Sequence, residues 1–338
     1  MLAGGIGSRF WPLSTPGRPK QLLPLIEQRP LLAATVDRLA PLTSPERTLV
    51  LTNASLAAAA RELLPGLPDE NVIAEPQPAG TAAALSWAAH VIEDRAGSDA
   101  VMLSVHADWS IGDESGFRDT LALAGDIATR HAALVTVGIV PSRPDPGFGY
   151  IRPGATVEGP ARRVAEFVEK PSRERAARMV TEGCLWNSGI FAWRVGDFLA
   201  EVRAHTPEIA PALIAAGGDR DEFFRQVKSI SVDVGVLERS QRVLVIPGDF
   251  GWDDVGTWAA LARVRDLDQH GNAVYGRVHA VESRDNVVHA ETGDVVLFGV
   301  SDLVVVVRDG LTLVTSLERA TDLKELIDAL PPSVRDQS

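Results

Sequence analysis

The chain has 338 residues, which is enough for about two domains of ordinary size. Hydrophobic residues make up 45% of it and charged residues 23%, as is typical of a globular protein. Its formal net charge of −12 argues against nucleic acid or an anionic membrane as a partner. No apolar run reaches the ~20 residues that span a bilayer, and no signal peptide is recognisable. We therefore expect a cytoplasmic protein, and the sequence leaves open whether it forms a homodimer.

The first segment, residues 2–24, contains a glycine-rich loop followed by two cations. Gly4, Gly5 and Gly7 let the backbone approach a ligand closely, and consecutive amides in such a loop form a concave site for anionic oxygens. Arg9 adds a planar fork that suits phosphate, and Lys20 adds a mobile charge. The loop therefore predicts polyphosphate binding, with a simple turn between a strand and a helix as the alternative.

The spacing excludes two other phosphate-binding loops. A Walker A loop needs a lysine directly after its last glycine, and no lysine follows Gly7. A dinucleotide-binding loop needs a third small residue where this chain has Phe10, which also argues against a redox enzyme. The strand that should precede the loop is reduced to residues 1–3, so either this strand is very short or the start was assigned too late.

Residues 48–139 alternate strand-like and helix-like segments. The predicted strands are 48–52, 71–73, 100–105 and 133–139, and the predicted helices are 54–64, 81–93 and 117–129. Continuous apolar strands between helices indicate a mostly parallel sheet that is covered on both faces. Ligands bind beyond the carboxyl ends of the strands in such sheets.

The second half of the chain is less regular. Residues 141–153 are rich in proline and glycine and predict an ordered loop, and strands are predicted at 164–168, 190–193 and 243–246. A polar stretch at 266–272 suggests a boundary, which divides the chain into domains 1–268 and 269–338. The second domain is predicted to contain short strands at 274–281, 286–290, 295–300, 303–307 and 311–315, followed by a helix at 321–330.

Carboxylates follow two of the predicted strands. Asp108 comes just after strand 100–105, and Asp253 and Asp254 lie in a glycine- and tryptophan-rich loop after strand 243–246. Mg²⁺ prefers one or two carboxylates, with the rest of its shell from water and substrate phosphates. The pattern therefore predicts a Mg²⁺ site, with helix caps or turn aspartates as the alternative.

Three further motifs could bind a sugar phosphate or a base. Glu169 and Lys170 follow strand 164–168, where they could hold a sugar hydroxyl and a phosphate or form an ordinary salt bridge. Asn187 stands beside a glycine and could bind a sugar or occupy a left-handed turn. Glu75 and the turn at Gly80–Thr81 enter a helix, where backbone amides could contact a base edge.

Together these motifs resemble the bacterial mannose-1-phosphate guanylyltransferases, within the larger group of sugar-1-phosphate nucleotidyltransferases. The matching segments, in the order of that family, are LAGGIGSRFWPLS, RPKQLLPL, ADW, GFGYI, EFVEKP, WNSGIF, SVDVGVLE and GWDDVGTW. They span residues 2–258, and the tail from 272 is similar to the family's C-terminal β region. The resemblance implies a Rossmann-like, three-layer α/β fold with a mixed, mostly parallel sheet and a small C-terminal β-rich domain.

The resemblance also implies roles for single residues. Arg9, Lys20, Asp108 and Asp254 are the expected catalytic residues, and Asp108 and Asp254 are the expected metal ligands. The expected nucleotide-binding set is Leu2, Ala3, Gly4, Gly5, Gly7, Ser8, Glu75, Gly80 and Thr81. The expected sugar-phosphate set is Gly149, Glu169, Lys170 and Asn187.

The chain departs from the family pattern at two places. The family usually has Arg-Asn-Thr where this chain has Ala79-Gly80-Thr81, and it usually has Pro and His where this chain has His106 and Trp109. Many relatives carry a further isomerase domain, and no isomerase activity is expected here.

The implied reaction is the transfer of GMP from GTP to mannose 1-phosphate, which gives GDP-mannose and pyrophosphate. Two alternatives stay open at the level of the sequence. One is a nucleotidyltransferase of another specificity, such as glucose 1-phosphate with dTTP or UTP. The other is a regulatory protein that binds a nucleotide sugar without catalysis, although Arg9, Lys20, Asp108 and Asp254 are all retained.

Overall fold

A computed structural model describes residues 1–5 and 8–335 of the chain. Its strands are β1 (Val50–Asn53), β2 (Val72–Glu75), β3 (Val101–Ser104), β4 (Leu134–Ile139), β5 (Tyr150–Glu158), β6 (Ala161–Val168), β7 (Leu185–Arg194), β8 (Val243–Gly248), β9 (Ala273–Val281), β10 (Val287–Phe298), β11 (Leu303–Arg308) and β12 (Leu311–Ser316). Its α-helices are α1 (Leu31–Leu39), α2 (Ala57–Leu63), α3 (Gly80–Ala96), α4 (Glu114–His131), α5 (Arg173–Thr181), α6 (Val195–His205), α7 (Ala210–Ala215), α8 (Arg220–Gln226), α9 (Leu261–Val264), α10 (Leu323–Ala329) and α11 (Pro332–Arg335).

The central sheet is mixed, and most of its strands run in one direction. Its hydrogen-bonded order is β3-β7-β4-β8-β6-β5, and β4 and β8 are parallel. Strand β7 lies between β3 and β4 and runs against both, and β6 runs against β8. Strands β1 and β2 form a separate parallel pair. This architecture confirms the predicted α/β class with a mixed sheet and a C-terminal β region.

The short first strand is hydrogen-bonded on both sides. Leu2 forms parallel bridges to Leu51 and His106 and so lies between β1 and the chain that follows β3. The Leu2 amide donates to the Val105 carbonyl at 2.8 Å, and the Ala3 amide donates to the Leu51 carbonyl at 2.8 Å. The glycine loop therefore starts from a firmly held segment, despite the few residues that precede it.

Helices cover both faces of the central sheet. Side chains of α1, α2 and α4 pack on one face, and those of α3, α6, α7 and α8 pack on the other. All six residues of β4 are buried, as a central strand between two helical layers requires. Helix α3 buries five alanines, and such small side chains allow close packing against the sheet and α6.

Three segments differ from the predictions. The predicted strands 286–290 and 295–300 are one strand, β10, whose pairing with β9 shifts between His289 and Asp294, because Gly293 (φ +72°) accommodates a bulge rather than a turn. The predicted loop 141–153 ends in strand β5, which tolerates Pro153 because it lies at the sheet edge and is bulged there. Asn187 lies within β7 and not in a left-handed turn.

The C-terminal sheet has the order β12-β11-β10-β9, with β9, β10 and β11 parallel and β12 antiparallel. It shares a core with the segment that follows the glycine loop. Buried residues of this shared core include Phe10, Leu13, Leu25, Trp258, Val287 and Val304. The domain boundary between residues 268 and 269 stays a prediction, since apolar packing joins the two sides of it.

Candidate active site

The glycine loop opens onto solvent directly after residues 1–3, the short segment that pairs with β1. Gly4 and Gly5 are exposed, and a side-chain carbon added to either would meet no other atom within 4 Å. A ligand can therefore approach their backbone amides closely. Gly7 lies outside the described residues, and the side chain of Ser8 is likewise not described.

A pocket of about 330 Å³ joins this loop to the start of α3. From the loop it is lined by Leu2, Ala3, Gly4 and Gly5. From β2 and the start of α3 it is lined by Glu75, Gly80 and Thr81, and Asp108 lines it as well. The structure thus brings together eight of the residues that the sequence assigned to nucleotide or metal binding.

Glu75 carries the most perturbed carboxyl group of this pocket. It is the last residue of β2, it is only 8% exposed, and burial raises its pKa to about 7. Its carboxyl group accepts no hydrogen bond from the described part of the chain. A buried carboxyl group in this state gains free energy from any ligand that offers it hydrogen-bond donors.

The turn at Gly80 depends on its lack of a side chain. Gly80 has φ +79°, and a side-chain carbon there would overlap the Ile230 carbonyl. The Thr81 hydroxyl accepts a hydrogen bond from the Val232 amide at 2.9 Å. Thr81 is therefore tied to the segment around Val232, and its hydroxyl keeps its proton and a second acceptor lone pair for a ligand.

Lys20 is buried between the two loops that carry the predicted metal ligands. Its Nζ donates to Asp108 Oδ2 at 3.2 Å and to the backbone carbonyl of Asp254 at 2.6 Å. The Lys20 side chain is 7% exposed, whereas that of Asp108 is 35% exposed and faces the pocket. One ammonium group thus brings together Asp108 and Asp254, which are far apart in the sequence.

The neighbouring aspartates 253 and 254 have different environments. Asp253 is buried and accepts hydrogen bonds from Arg263 Nε (2.7 Å) and Nη2 (3.1 Å) and from the Val255 amide (2.9 Å). The carboxylate of Asp254 accepts no hydrogen bond from residues 1–5 or 8–335. Burial raises the pKa of Asp254, and the positive charges of Lys20 and Arg9 offset part of that effect. Asp253 is therefore held by the fold, and Asp254 is available to a cation.

Arg9 lies in a short 3₁₀ turn, Ser8–Phe10, and is exposed. Its positive charge lowers the pKa of Asp254, against the larger effect of burial. Hydrogen bonds of Lys20 thus join Asp108 and Asp254, and the catalytic roles of these three residues and of Arg9 stay a prediction.

Three of the four predicted sugar-phosphate residues lie together. A side-chain carbon on Gly149 would come within 2.6 Å of Glu169 Oε2 and 3.5 Å of Asn187 Cβ, and the Asn187 amide donates to the Gly149 carbonyl at 2.8 Å. Lys170 is paired with Glu169 and its side chain is 66% exposed, so it lies at the rim. The roles of these residues in substrate binding stay a prediction.

Sequence reasoning missed two residues of the site. Asp233 accepts a hydrogen bond from Asn187 Nδ2 at 2.7 Å and lies on a single π-helical turn, Asp233–Leu237. Gln21 lines the pocket and donates to the Ala3 carbonyl at 2.7 Å, which ties the glycine loop to the lysine segment. The available signals were the positions of both residues inside the segments SVDVGVLE and RPKQLLPL.

The helix-covered mixed sheet, the exposed glycine loop and the buried Lys20 between the loops of Asp108 and Asp254 match the class of nucleotidyltransferases. The Nucleotidyl transferase family model matches residues 1–270, and a model described as MannoseP isomerase/GMP-like beta-helix domain matches residues 276–330. Among the described residues no helix is long and apolar enough to cross a membrane.

Curated relatives and a solved structure match over nearly the whole chain. A mannose-1-phosphate guanylyltransferase of Salmonella muenchen is 35% identical over 351 residues, which cover 100% of this chain and 74% of that protein. A protein of the same name from Sinorhizobium fredii is 33% identical and covers 98% of this chain and 67% of its own length. A crystal structure from Thermus thermophilus, described as mannose-1-phosphate geranyltransferase, has a TM-score of 0.89 at 38% identity, with 97% of each chain covered. The chain therefore belongs to the nucleotidyl transferase family, among the bacterial mannose-1-phosphate guanylyltransferases.

Proposed function

We propose that the protein transfers GMP from GTP to mannose 1-phosphate and releases pyrophosphate. Family membership supports the reaction class. The observation that carries the choice of GTP is the buried Glu75 carboxyl group, which has no partner in the described chain and lies in the pocket next to the glycine loop.

The Glu75 carboxylate complements guanine better than the pyrimidines. Guanine presents two adjacent donors, N1–H and the 2-amino group, to which a carboxylate offers two acceptor oxygens. Uracil and thymine present one N–H between two carbonyl oxygens, which a carboxylate would repel. Hydrogen bonds from guanine favour the ionised form and would lower the pKa of Glu75 from its value of about 7 in the free protein.

The phosphates of GTP would lie along the glycine loop. Amides of Gly4 and Gly5 are exposed beside the pocket, and Arg9 and Lys20 supply the positive charge for the leaving pyrophosphate. Gly7 and Ser8 continue the same loop in sequence and are proposed to bind phosphate as well. Such preorganised charge is usually the largest contribution to catalysis in phosphoryl transfer.

Proteins of this family generally use a divalent metal ion. Among the described residues no cluster of three or more His, Cys, Asp or Glu could hold one alone. Mg²⁺ needs only one or two carboxylates in a site that also holds phosphates. Asp108 and Asp254 fit this requirement, because the Asp108 carboxylate and the backbone of Asp254 bind the same buried ammonium group and the Asp254 carboxylate is poorly stabilised by the protein. Mg²⁺ held there would neutralise charge on the phosphates of both substrates.

Mannose 1-phosphate would bind at Gly149, Glu169 and Asn187, with Lys170 at the rim. Its phosphate is already largely ionised near pH 7, because the second pKa of a phosphate monoester is about 6. The attacking oxygen therefore needs no general base. The residues of this chain would act by aligning the two phosphates and by stabilising the charge that develops on the leaving group.

The proposal includes the location and the oligomeric state of the protein. The reaction would take place in the cytoplasm, where the single cysteine, Cys184, stays reduced. The protein is also proposed to form a homodimer, and sedimentation of the purified protein would test this by measuring its mass in solution.

A panel of substrates tests the proposed function. Purified protein is incubated with Mg²⁺, one of GTP, UTP or dTTP, and either mannose 1-phosphate or glucose 1-phosphate, and pyrophosphate release is measured. We expect the fastest release with GTP and mannose 1-phosphate. Preference for UTP or dTTP with glucose 1-phosphate would replace this proposal by the alternative specificity, and no release with any pair would point to a regulatory protein.

A further inference from the structure

Lys20 lies in a loop with little regular structure. We call residues 11–25 the lysine loop; it contains one 3₁₀ turn, Lys20–Leu22, and an antiparallel bridge between Thr15 and Arg18. The two amides of that bridge donate to the opposite carbonyls at 3.1 and 3.0 Å. Side-chain contacts from other segments therefore add to the few backbone hydrogen bonds that hold this loop.

The strongest of these contacts comes from the C-terminal sheet. Arg18, two residues before Lys20, forms a bidentate ion pair with Glu291 of β10, with Nη1–Oε2 at 2.9 Å and Nη2–Oε1 at 2.6 Å. Both side chains are partly buried, at 34% and 18% exposure. Two parallel hydrogen bonds between a planar guanidinium and a carboxylate fix orientation as well as distance. Glu291 therefore constrains the backbone next to Lys20.

The rest of the lysine loop is held by hydrogen bonds to its carbonyls. Arg265 Nε donates to the Leu25 carbonyl at 2.7 Å, and its other nitrogens donate to Val288 and His289 of β10. Arg308 of β11 donates to the Pro12 carbonyl at 3.0 Å. Both ends of the loop are thus fixed to the C-terminal sheet, and of these contacts the Arg18–Glu291 pair is the nearest to Lys20 in the sequence. Gln21, beside Lys20, is held separately by the Ala3 carbonyl of the glycine loop.

We propose that Glu291, through Arg18, is a positioning residue for Lys20, so that the C-terminal sheet takes part in nucleotidyl transfer. This inference rests on the proposed function of the site. Lys20 must hold a fixed place between Asp108 and Asp254, because a displacement of about 1 Å at such a group can reduce the rate up to 10²-fold. The ion pair with Glu291 helps to fix the position of Lys20 from outside the central sheet.

The test compares Glu291→Gln with a matched control on the same strand. Glu291→Gln keeps the shape of the side chain but replaces the bidentate ion pair by at most a weak hydrogen bond. We expect kcat for pyrophosphate release to fall roughly tenfold. We expect KM for GTP to stay within about twofold, because Glu75, Gly80 and Thr81 of the base pocket lie outside the lysine loop, which adds Gln21 to the lining. The charge-swapped double variant Arg18→Glu/Glu291→Arg should recover most of the lost kcat.

The control is Asp294→Asn. Asp294 lies on the same strand and pairs with Arg277 of β9 at 3.1 Å, away from the lysine loop. This variant should keep the kcat of the unmodified protein. Hydrogen exchange gives a readout that is independent of catalysis. The hydrogen-bonded amides of Arg18, Leu22 and Leu23 should exchange faster in Glu291→Gln, and their exchange rates should be unchanged in Asp294→Asn.

Three results would overturn the inference. They are unchanged kcat and exchange in Glu291→Gln, an equal loss of kcat in Asp294→Asn, and a folded charge-swapped protein that stays as slow as Glu291→Gln. If the unmodified protein releases no pyrophosphate from any substrate pair, the proposed function fails, and the exchange rates still decide whether Glu291 positions the lysine loop.

Discussion

At the scale of single residues, two adjacent aspartates have separate tasks. Asp253 is saturated by Arg263 and a backbone amide, and Asp254 keeps a carboxylate that the described chain does not hydrogen-bond. The order of the two residues in the loop decides which carboxylate faces the site. The sequence motif GWDDVGTW contains both and does not by itself distinguish them.

Asp254→Asn should reduce pyrophosphate release at least about 10²-fold, because it removes a carboxylate that is proposed to hold the metal ion. The protein should stay folded, because the substitution removes a charge on which burial imposes a free-energy cost. Asp253→Asn should instead lower the free energy of unfolding by roughly 2 kcal/mol, because it leaves Arg263 without its buried partner. Steady-state kinetics and urea unfolding of both variants check this. A stable, active Asp254→Asn protein would contradict the assignment.

Arg9→Ala should also reduce turnover at least about 10²-fold, since Arg9 is proposed to stabilise charge on the leaving pyrophosphate. Arg9 is exposed, so its removal should leave the unfolding midpoint almost unchanged. The measurement is kcat with saturating substrates, beside thermal unfolding. Turnover near that of the unmodified protein would remove Arg9 from the catalytic set.

Glu75 should make stability depend on pH. Its pKa is about 7 in the folded protein and about 4.5 in the unfolded chain, so the folded state binds more protons between these values. The contribution of Glu75 to the free energy of unfolding is therefore fully present below pH 4.5 and is lost as the pH rises to about 7. Glu75→Gln should therefore gain on the order of 3 kcal/mol over the unmodified protein at pH 8 and little at pH 4.5.

Urea unfolding at both pH values measures that difference. The buried Met1 ammonium group, whose pKa burial lowers to about 5, adds a slope of opposite sign. It is common to both proteins and cancels in the comparison. Equal stabilities of the two proteins at pH 8 would show that Glu75 is ionised at no cost.

At the scale of elements, the start of α3 depends on a single glycine. Gly80→Ala should lower the free energy of unfolding by about 3 kcal/mol, because its side-chain carbon would overlap the Ile230 carbonyl at φ +79°. Gly159→Ala, in the turn between β5 and β6 at φ +51°, meets no neighbouring atom and should cost only about 1 kcal/mol. Equal losses in chemical unfolding would mean that the Ile230 contact relaxes.

Local motifs predicted most elements of residues 48–139 and several residues that the fold brings together around the pocket. The apolar strands and Ala-rich helices of residues 48–139 were predicted because their periodicity is local, and Lys20 and Asp108 because they follow recognisable loops. Contacts between distant segments could not be predicted. Asp233 meets Asn187 across 46 residues, and nothing near Asp233 indicates that partner.

At the scale of the whole molecule, the transferase region and the C-terminal sheet share one core. Phe10, Leu13 and Leu25 pack with Val287 and Val304, although these groups lie more than 260 residues apart in the sequence. Because the side chains of both groups are apolar, the sequence predicts that each group is buried. Only the fold shows that the two groups are buried together. The contact between Arg18 and Glu291, 273 residues apart, was equally beyond local patterns.

A chain cut after residue 268 should therefore lose activity. The buried side chains around the lysine loop would be exposed, and each large apolar residue so exposed costs about 2 kcal/mol. We expect a lower unfolding midpoint and little pyrophosphate release from residues 1–268. Full-length Phe298→Ser, which changes a residue that is 70% exposed on the same sheet, should behave like the unmodified protein. Full turnover by the shortened chain would show that the two regions are independent.

The decisive measurement is nucleotide selectivity in the unmodified protein and in Glu75→Gln. It is the ratio of kcat/KM for GTP to kcat/KM for UTP, with mannose 1-phosphate as the second substrate. A glutamine offers one acceptor and one donor, which suit the N–H and carbonyl of uracil better than the two donors of guanine. If Glu75 selects GTP, we expect a ratio of at least about 10² for the unmodified protein and a fall of at least tenfold in the variant. An unchanged ratio would contradict the claim that Glu75 selects GTP.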